Sequence, residues 1–561
     1  MLSHPIGVYI NWAAYDELSD IVELTEALAM RQLAEVARLK QCGVQIDYYV
    51  MDAFWFAPDT GYRTWRSPHW SSAGPQRWIE GCYARDVKPG LWLTANNLHQ
   101  QNLFPMQLIP AWSDSFDPEL SALCCFYGGF LPHFVATLAH WYDHGVRMYK
   151  IDFANFDAAP PHLKRTMLPA EIRAANQSAW RGAVKAFRQE HPDARFLGYN
   201  GFEERRIHHA TDVPLQKAVD TRWLEVFDAL YCGDPRPADT PAMNFWRAKD
   251  IYSDHMVRVY RFNDIPLPRI DNSAFMIGLT GTCYRRGAAA WRGMLVLSLA
   301  RGGWVNTYYG NLELLTDADG RWFAAVQAAY FDLMQRTPVQ TFGALPGTAQ
   351  PYGYLALDGA DGLITVVNPA QATMVVPLPV ACPGCALIFH DAGLTPQVTA
   401  TTVTLGPEQM AVIGVGSYAT MDWGVEDDVT IPGHITPLPV TFEQKSPHAL
   451  RATLTPPRRG RLRVVMQQFD ADGRVVRTSG GAPPAGVTLA QLLRIEAYQG
   501  EQAVPVTVAY DKAIWSGLSW AVGEIDLERL APTAPLDFVL TTADPAVHTL
   551  QGRLYHILVQ A

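Results

Sequence analysis

The first 340 residues alternate between short apolar stretches and longer stretches whose apolar positions have helical spacing. Helical patterns such as 24–40 and 170–189 separate the apolar stretches, which are typical of buried strands. Seven or eight such units in about 340 residues predict an α/β fold, a (β/α)8 TIM barrel over residues 1–340. The apolar stretches are 6–11, 47–52, 88–93, 147–152, 195–199, 227–231 and 274–277.

After residue 340 the pattern changes to short strands separated by polar turns. Stretches at 353–357, 362–367, 373–378 and 398–405 predict an antiparallel β-sandwich over residues 345–417. Residues 421–561 continue the same pattern of short strands and polar turns, and we expect them to form an additional β-rich domain. The predicted architecture is therefore a barrel followed by C-terminal antiparallel β-sandwich domains.

Composition and charge exclude some classes of binding partner. Charged residues make up 18% of the 561 residues and the formal net charge is −10, with no run rich in Lys or Arg. This balance argues against binding to nucleic acid or to an anionic membrane surface. No apolar run is long enough to span a bilayer, and residues 1–5 show no signal peptide. We expect a cytoplasmic protein, or a secreted or periplasmic one if a leader has been removed; a homo-oligomer remains open.

Cysteine and histidine give little sign of a metal or redox centre. The eight cysteines form no disulfide framework, and Cys382 and Cys385 make one isolated CxxC pair around Pro-Gly. A zinc ribbon needs a second such pair, so a tight turn between strands is the simpler interpretation. The neighbouring His208 and His209 lack further ligands at suitable spacing. We therefore expect neither a metal nor a cofactor.

Chemistry in a barrel of this kind lies at the carboxyl ends of the strands. Asp52 closes an apolar stretch and is followed by three aromatic residues, among them Trp55. Aromatic faces beside carboxylates suit sugars, because rings pack on C–H faces while carboxylates accept hydroxyl hydrogen bonds. The alternative is a helix-capping Asp with core aromatic residues behind it.

Two polar residues lie at the end of the fourth apolar stretch. Lys150 and Asp152 are two residues apart, so on a strand they face the same side. We expect the buried ammonium to keep the carboxylate ionised and to lower its pKa, as a nucleophilic Asp requires. A structural ion pair inside the barrel is the alternative.

Further carboxylates follow the sixth apolar stretch and come just before the seventh. Asp234 comes just before a Pro and is a candidate general acid, the partner that glycoside hydrolysis requires. An Asp before Pro is also a good helix start, and Asp239 is a competing candidate acid. Asp271, expected at the end of the seventh strand, either binds substrate or supports loops.

The order of these motifs resembles glycoside hydrolase clan D, the families 27 and 36 that contain α-galactosidases. Four motifs occur in the family's order: the first strand with Trp12, the Asp-Ala-Phe-Trp motif at Asp52, the basic glycine-containing strand at 86–92, and Lys150-Ile-Asp152. The resemblance covers residues 5–417. It implies that Asp152 is the nucleophile and that the sixth strand delivers the acid/base, which we map to Asp234.

Two departures from the family pattern bear on specificity and on the acid. Ala53 replaces the second Asp of the family's Asp-Asp-x-Trp motif, which puts galactose specificity in doubt. The family's Arg before the acid/base is absent at its usual spacing. If Arg236 is that residue, Asp239 becomes the acid. The substrate-binding residues that the resemblance implies, with Asp271 added from its position, are Trp12, Asp52, Trp55, Lys150, Asn200, Glu203, Arg236, Asp239 and Asp271. Trp304, Asn306 and Tyr308 are expected to follow the eighth strand.

The resemblance thus implies a retaining, exo-acting α-glycosidase that needs no cofactor and acts on an oligosaccharide or glycoconjugate by double displacement. Its two carboxylates would lie about 5–5.5 Å apart. Two alternatives stay open. A transglycosidase would pass the sugar to an acceptor other than water, and a catalytically inactive carbohydrate-binding barrel would bind sugars without turnover.

Overall fold

The structure is a computed structural model of the 561-residue chain. It describes residues 2–12, 24–53, 55–98, 106–202, 220–231, 246–277, 291–346, 350–370, 373–391, 394–406, 409–426, 434–473, 476, 493–510, 520–531 and 533–558.

Eight parallel strands close into a barrel in simple chain order, so that β1 pairs with both β2 and β8. The strands are β1 (Ile6–Ile10), β2 (Tyr48–Met51), β3 (Lys88–Thr94), β4 (Met148–Asp152), β5 (Arg195–Gly198), β6 (Ala229–Tyr231), β7 (Ile270–Ile277) and β8 (Val305–Gly310). The predicted (β/α)8 barrel is therefore confirmed.

Helices follow most of the strands and form the outer layer of the barrel. They are α1 (Glu26–Gln41), α2 (Gly74–Tyr83), α3 (Phe130–Asp143), α4 (Pro169–Glu190), α5 (Trp246–Phe262), α6 (Trp291–Ala300) and α7 (Asp317–Arg336). A helical turn at Pro161–Lys164, short 3-10 helices at Pro110–Ser115, Thr221–Glu225, Leu267–Arg269 and Leu312–Leu314, and a hairpin of Phe116–Asp117 with Ala122–Leu123 complete this part.

Local sequence explains where two of these helices begin. The Thr25 hydroxyl accepts a hydrogen bond from the Leu28 amide at the start of α1. At the start of α7, Thr316 and Asp319 form a capping box in which each side chain binds the other residue's backbone N–H. Both arrangements satisfy amide donors that a helix terminus leaves without partners.

The alternation of strand residues divides the barrel into an interior and an outer layer. Val8, Val50 and Met148 are fully buried in the small cluster that fills the interior. Their strand neighbours Tyr9 and Tyr49 instead belong to the large cluster that joins strands to helices. Because successive side chains of a strand point to opposite faces, residues two apart share one environment. The residues that close the strands on the interior side therefore meet at the carboxyl end of the barrel.

A two-sheet β-unit follows the barrel, as the sequence predicts. The six-stranded sheet has the order β9-β10-β11-β16-β13-β17 and the three-stranded sheet the order β12-β15-β14. The strands are β9 (Gln340–Gly343), β10 (Tyr352–Asp358), β11 (Asp361–Asn368), β12 (Met374–Pro377), β13 (Ala386–Asp391), β14 (Gln397–Val398), β15 (Thr402–Leu405), β16 (Gln409–Val415) and β17 (Gly424–Glu426). A 3-10 helix at Gly416–Thr420 precedes β17.

A second pair of antiparallel sheets forms the C-terminal part, around a separate apolar cluster. The sheet orders are β18-β27-β21-β25-β24 and β19-β20-β26-β22-β23. The strands are β18 (His434–Leu438), β19 (Glu443–Ser446), β20 (Ala449–Leu454), β21 (Arg461–Phe469), β22 (Leu493–Gln499), β23 (Gln502–Val504), β24 (Thr507–Tyr510), β25 (Trp520–Asp526), β26 (Leu536–Thr542) and β27 (Thr549–Leu558), with a 3-10 helix at Leu527–Arg529.

The domain limits drawn from the sequence stay predictions. In the structure, β17 pairs in parallel with β13 of the first sandwich. Polar contacts join this sandwich to the barrel: the Trp322 indole N–H donates to the Trp423 carbonyl, and Tyr330 shares a hydrogen bond with Thr365. Among the described residues, no helix is both long and apolar enough to cross a membrane.

Candidate active site

Two carboxylates lie at the carboxyl end of the barrel, one at the end of β2 and one at the end of β4. Asp152 is the last residue of β4, and Asp52 directly follows β2. Both side chains are almost fully buried, and the Asp52 backbone N–H donates to Asn11, which follows β1. The strand-end positions predicted for these two residues are therefore observed.

Lys150 forms a buried ion pair, but with a different carboxylate from the one expected. Its Nζ lies 2.7 Å from Asp52 Oδ2, and both side chains are at most 6% exposed. Burial by itself lowers the pKa of Lys150, but the combined effect of Asp52, Tyr309 and Asp152 outweighs burial and the pKa lies above its usual value. Spacing along β4 placed Lys150 on the same side as Asp152. Its direct partner is instead Asp52, which follows β2 and lies 98 residues earlier in the sequence.

Asp152 is held by hydrogen bonds from two neighbouring strands. Its Oδ1 accepts from the Phe153 backbone N–H at 2.9 Å, the Asn200 backbone N–H at 3.1 Å and the Asn200 side-chain amide at 2.8 Å. Its Oδ2 accepts from the Trp92 indole N–H at 3.1 Å. The carboxylate is thus fixed in orientation, and Oδ2 carries fewer of these donors than Oδ1.

The pKa of Asp152 moves in the opposite direction from the one expected. Burial raises it from 3.8 to about 6, although the charge of Lys150 and the hydrogen bonds from Asn200 and Trp92 act to lower it. The expectation of a lowered pKa was wrong because desolvation of a fully buried carboxylate outweighs one nearby cation. Asp152 is still largely ionised at neutral pH.

The backbone after Asp152 adopts an uncommon conformation. Phe153 has φ +53°, in the left-handed region that non-glycine residues rarely occupy. The Ala154 N–H then donates to the Asn200 carbonyl at 2.9 Å. Gly201 has φ +95°, and a Cβ there would lie 2.1 Å from the Ala154 carbonyl oxygen. The loops after β4 and β5 are therefore locked together beside Asp152, and such strained positions cluster at functional sites.

Two tyrosine rings flank the Lys150 ammonium. The Tyr199 ring centroid is 4.2 Å from Lys150 Nζ, and that of Tyr309 is 5.9 Å away. The Tyr199 hydroxyl donates to Asp271 Oδ2 at 2.6 Å and lies 3.0 Å from the Tyr309 hydroxyl. The Thr307 hydroxyl donates to Asp271 Oδ1 at 3.1 Å.

The structure corrects the expected position of Asp271. It is the second residue of β7 rather than a residue at the strand's end, and it is fully buried in the barrel. Burial raises its pKa to about 7, while the hydrogen bonds from Tyr199 and Thr307 act to lower it. Asp271 thus lies near the beginning of β7 instead of at the carboxyl rim, because β7 begins earlier than the apolar pattern indicated.

The two tryptophans expected to bind substrate occupy different surroundings. Trp55 is fully buried, packs among Phe56, Tyr62 and Trp65, and donates its indole N–H to the Trp92 carbonyl. With no exposed ring face it serves the core, which is the alternative interpretation of that motif. Trp12, just after β1, is partly buried against the barrel interior and the outer core.

Four predicted site residues lie outside the described residues: Glu203, Asp234, Arg236 and Asp239. The same is true of His208 and His209. The described part of the sixth strand ends at Tyr231, three residues before Asp234 in the sequence. The choice between Asp234 and Asp239 as acid therefore stays a prediction.

Sequence reasoning missed three residues that contact the carboxylates or Lys150: Trp92, Tyr199 and Tyr309. Trp92 and Tyr199 lie within the predicted stretches 88–93 and 195–199, so alternation could have assigned the faces of these two residues. Trp92 is in register with Lys150 on the adjacent strand, and Tyr309 is one residue beyond the predicted Tyr308. Tyr308 instead lies on the outer side, where its hydroxyl accepts a hydrogen bond from Gln327. The expectation that 304–308 follow the eighth strand was wrong, because β8 itself runs to Gly310.

Ligands for a metal ion are not grouped in this region. Within the described ranges, no group of three or more His, Cys, Asp or Glu side chains is arranged to hold a metal. The charged groups described above at the barrel end are the carboxylates of Asp52 and Asp152 and the ammonium of Lys150, which already forms an ion pair. This set is suited to binding hydroxyl groups and to supplying a carboxylate nucleophile.

Comparison with known proteins gives matches at the level of structure only. No family model matches the chain. No curated protein matches it either. Among solved structures, the galactosidase domain of the α-galactosidase-sucrose kinase AgaSK matches with 13% identity and a TM-score of 0.50, over 73% of this chain and 54% of that chain.

Two further α-galactosidase structures match less well. A GH36 α-galactosidase, AgaA from Geobacillus stearothermophilus, gives 12% identity and a TM-score of 0.46 over 73% of this chain and 55% of that chain. A putative α-galactosidase from Bacteroides fragilis gives 10% identity and a TM-score of 0.48 over 74% and 80%. The chain spans about half the length of the first structures it matches. At this identity the similarity concerns the fold.

Proposed function

We propose that the chain is a retaining, exo-acting α-glycosidase with Asp152 as its nucleophile. The observation that carries the proposal is the setting of Asp152 at the carboxyl end of the barrel. It is held by Asn200 and Trp92 and flanked by the buried ion pair of Asp52 and Lys150. The motif order shared with clan D and the fold similarity to a galactosidase domain support the same function.

The first chemical step follows from the hydrogen bonds of Asp152. Its Oδ1 accepts three hydrogen bonds, whereas the described residues give Oδ2 one donor, Trp92. Oδ2 therefore keeps an electron pair for the anomeric carbon of the sugar. The bond from that carbon to the leaving oxygen breaks as the ester bond to Asp152 forms, and a general acid protonates the leaving oxygen. We assign that acid to Asp234, with Asp239 as the alternative.

The second step reverses the geometry of the first. The same acid, now deprotonated, takes a proton from water, whose oxygen attacks the anomeric carbon and releases Asp152. Two inversions at one carbon yield net retention of configuration. If a sugar hydroxyl replaces water, the enzyme is a transglycosidase, which the same groups would serve equally well.

Asp52 and Lys150 are assigned to hold the hydroxyl groups of the terminal sugar. They are neighbours of Asp152, and each has hydrogen-bonding capacity beyond their mutual contact. Ala53 stands where the resembling family has a second carboxylate, and its backbone N–H donates to Asp52 Oδ1. One sugar contact is thereby lost, so we expect a preferred sugar whose hydroxyl arrangement differs from that of galactose.

The proposal is tested with a panel of aryl glycosides: α-galactoside, α-glucoside, N-acetyl-α-galactosaminide and β-L-arabinopyranoside. We expect turnover of at least one, with retention of anomeric configuration, and loss of turnover in Asp152→Asn. Turnover that survives in Asp152→Asn would overturn the assignment of the nucleophile. Sugar binding without turnover of any glycoside would instead identify a carbohydrate-binding barrel.

A further inference from the structure

The tyrosine rings beside Lys150 are not explained by the proposed chemistry alone. Tyr199 follows β5, and its ring centroid lies 4.2 Å from Lys150 Nζ. At that distance a buried ammonium is attracted by the ring's π face. The same ammonium lies 2.7 Å from Asp52, so Lys150 is held between a carboxylate from one strand and a ring from another.

The Tyr199 ring is itself fixed by further contacts. Its hydroxyl donates to Asp271 at 2.6 Å and lies 3.0 Å from the Tyr309 hydroxyl. The Tyr231 ring stacks on it, with centroids 4.3 Å apart and planes inclined by 12°. Tyr199 is 5% exposed and Asp271 is fully buried. A ring restrained at its hydroxyl and at its face provides a rigid support, which is what a preorganised site requires.

We propose that Tyr199 is a positioning residue whose ring holds the Lys150 ammonium on Asp52, and that Asp271 fixes that ring through its hydroxyl. The inference rests on the proposed function in one respect, the binding of the sugar by Lys150. The placement of Lys150 by Tyr199 concerns the protein without substrate. It assigns to Asp271 a supporting role in place of contact with substrate.

The contribution of the ring is separable from that of the hydroxyl. Tyr199→Phe keeps the π face and removes the two hydroxyl contacts, whereas Tyr199→Leu removes the π face as well. Tyr308→Leu is the matched control: Tyr308 is an equally buried tyrosine, but it lies on the outer side of β8 and contacts Gln327. If Tyr199→Leu does not fold, Tyr199→Met fills more of the space without a π face.

The first readout is the rate at which an amine reagent, acetic anhydride, modifies Lys150 in the folded protein, measured by peptide mass spectrometry. Lys185, whose side chain is 53% exposed, serves as the internal reference. We expect Tyr199→Leu to raise the relative rate at Lys150 by about tenfold or more, and Tyr199→Phe, which keeps the ring but loses the Asp271 contact, by about two- to threefold. Tyr308→Leu should leave the rate near that of the wild type.

The second readout is the division between KM and kcat for whichever glycoside the wild type hydrolyses. Loss of a ground-state sugar contact raises KM more than it lowers kcat. We expect this pattern in Tyr199→Leu and its rescue in Tyr199→Phe. Protection of Lys150 that is unchanged in Tyr199→Leu, or lost equally in Tyr308→Leu, would overturn the inference. If Lys150 behaves as predicted but the wild type hydrolyses no glycoside, the proposed function fails and the positioning role stands.

Discussion

Two buried ion pairs in this molecule have similar geometry and different surroundings. Asp52 and Lys150 meet at the carboxyl end of the barrel, 2.7 Å apart. Asp254 of α5 and Arg301, just after α6, lie 2.6 Å apart with neither side chain exposed. Both pairs bury opposite charges, so burial and proximity alone do not distinguish a site from a structural contact.

The difference lies in what surrounds each pair. Asp254 also accepts hydrogen bonds from Tyr352 and Tyr354 of the first β-sandwich. That pair therefore joins two layers of the protein. The pair of Asp52 and Lys150 instead has a second carboxylate, Asp152, as its neighbour, together with a left-handed backbone at Phe153. A further carboxylate, that of Asp152, lies beside this pair at the strand ends. This neighbouring carboxylate, rather than the ion pair itself, distinguishes the candidate active site.

The largest expected effect comes from removing a carboxylate at each location. Asp152→Asn should lower kcat by at least about 10³-fold, because the nucleophile is lost. Asp254→Asn should change kcat by less than about threefold, since the Asn oxygen can accept from one of the two tyrosines and the Asn amide can donate to the hydroxyl of the other. Steady-state assays on the folded variants measure both. Equal losses in the two variants would remove the distinction between the pairs.

The ion pair against the sandwich should matter for stability instead. Arg301→Met leaves the Asp254 carboxylate buried without its cation, and removal of one partner of such a pair costs about 3–5 kcal/mol. We expect a clearly lowered midpoint of thermal unfolding with kcat retained in the folded fraction. An unchanged midpoint would show that the tyrosine donors alone satisfy Asp254.

Because Asp271 is buried, it should make the free energy of unfolding depend on pH. Its pKa in the folded protein is raised to about 7, so the folded state favours the protonated form, and this stabilisation is lost as pH rises toward 7. The ionised side chain then costs at most roughly 4 kcal/mol. We expect Asp271→Asn to stabilise the protein more at pH 8 than at pH 5, measured by thermal unfolding. A difference that does not change with pH would indicate a side chain ionised without penalty.

The smallest expected effect is on the pH profile of activity. Because the pKa of Asp152 is raised to about 6, protonation should remove the nucleophile below that pH. We expect kcat/KM to fall on the acid side with a midpoint near pH 6. Trp92→Phe removes a donor that stabilises the carboxylate, so its midpoint should move to higher pH. A midpoint that stays in place in Trp92→Phe would assign the acid limb to another group.

Sequence pattern predicted the residues that close the strands, and the structure explains why. Asp52 and Asp152 end short apolar stretches and Asn200 follows one, and the carboxyl ends of parallel strands meet. The partner of Lys150 could not be predicted in this way. Alternation indicates which side of a strand a residue faces, but which neighbour it contacts depends on register and on strand tilt.

The remaining differences follow from limits of local pattern. Asp271 was expected at a strand end because the polar residues before the apolar stretch 274–277 hid the true start of β7 at Ile270. Tyr309 was missed because an error of one residue exchanges the two faces of a strand. Trp55 follows a carboxylate, as a sugar-stacking ring does, yet its burial depends on aromatic residues far along the chain, such as Trp141.

The identity of the nucleophile is the central claim, and covalent trapping tests it most directly. The protein would be incubated with a 5-fluoroglycosyl fluoride of the sugar it hydrolyses, and the glycosylated peptide identified by mass spectrometry. We predict a single sugar ester on Asp152, absent in Asp152→Asn. A sugar ester on another carboxylate, or continued turnover with no ester formed, would contradict the account.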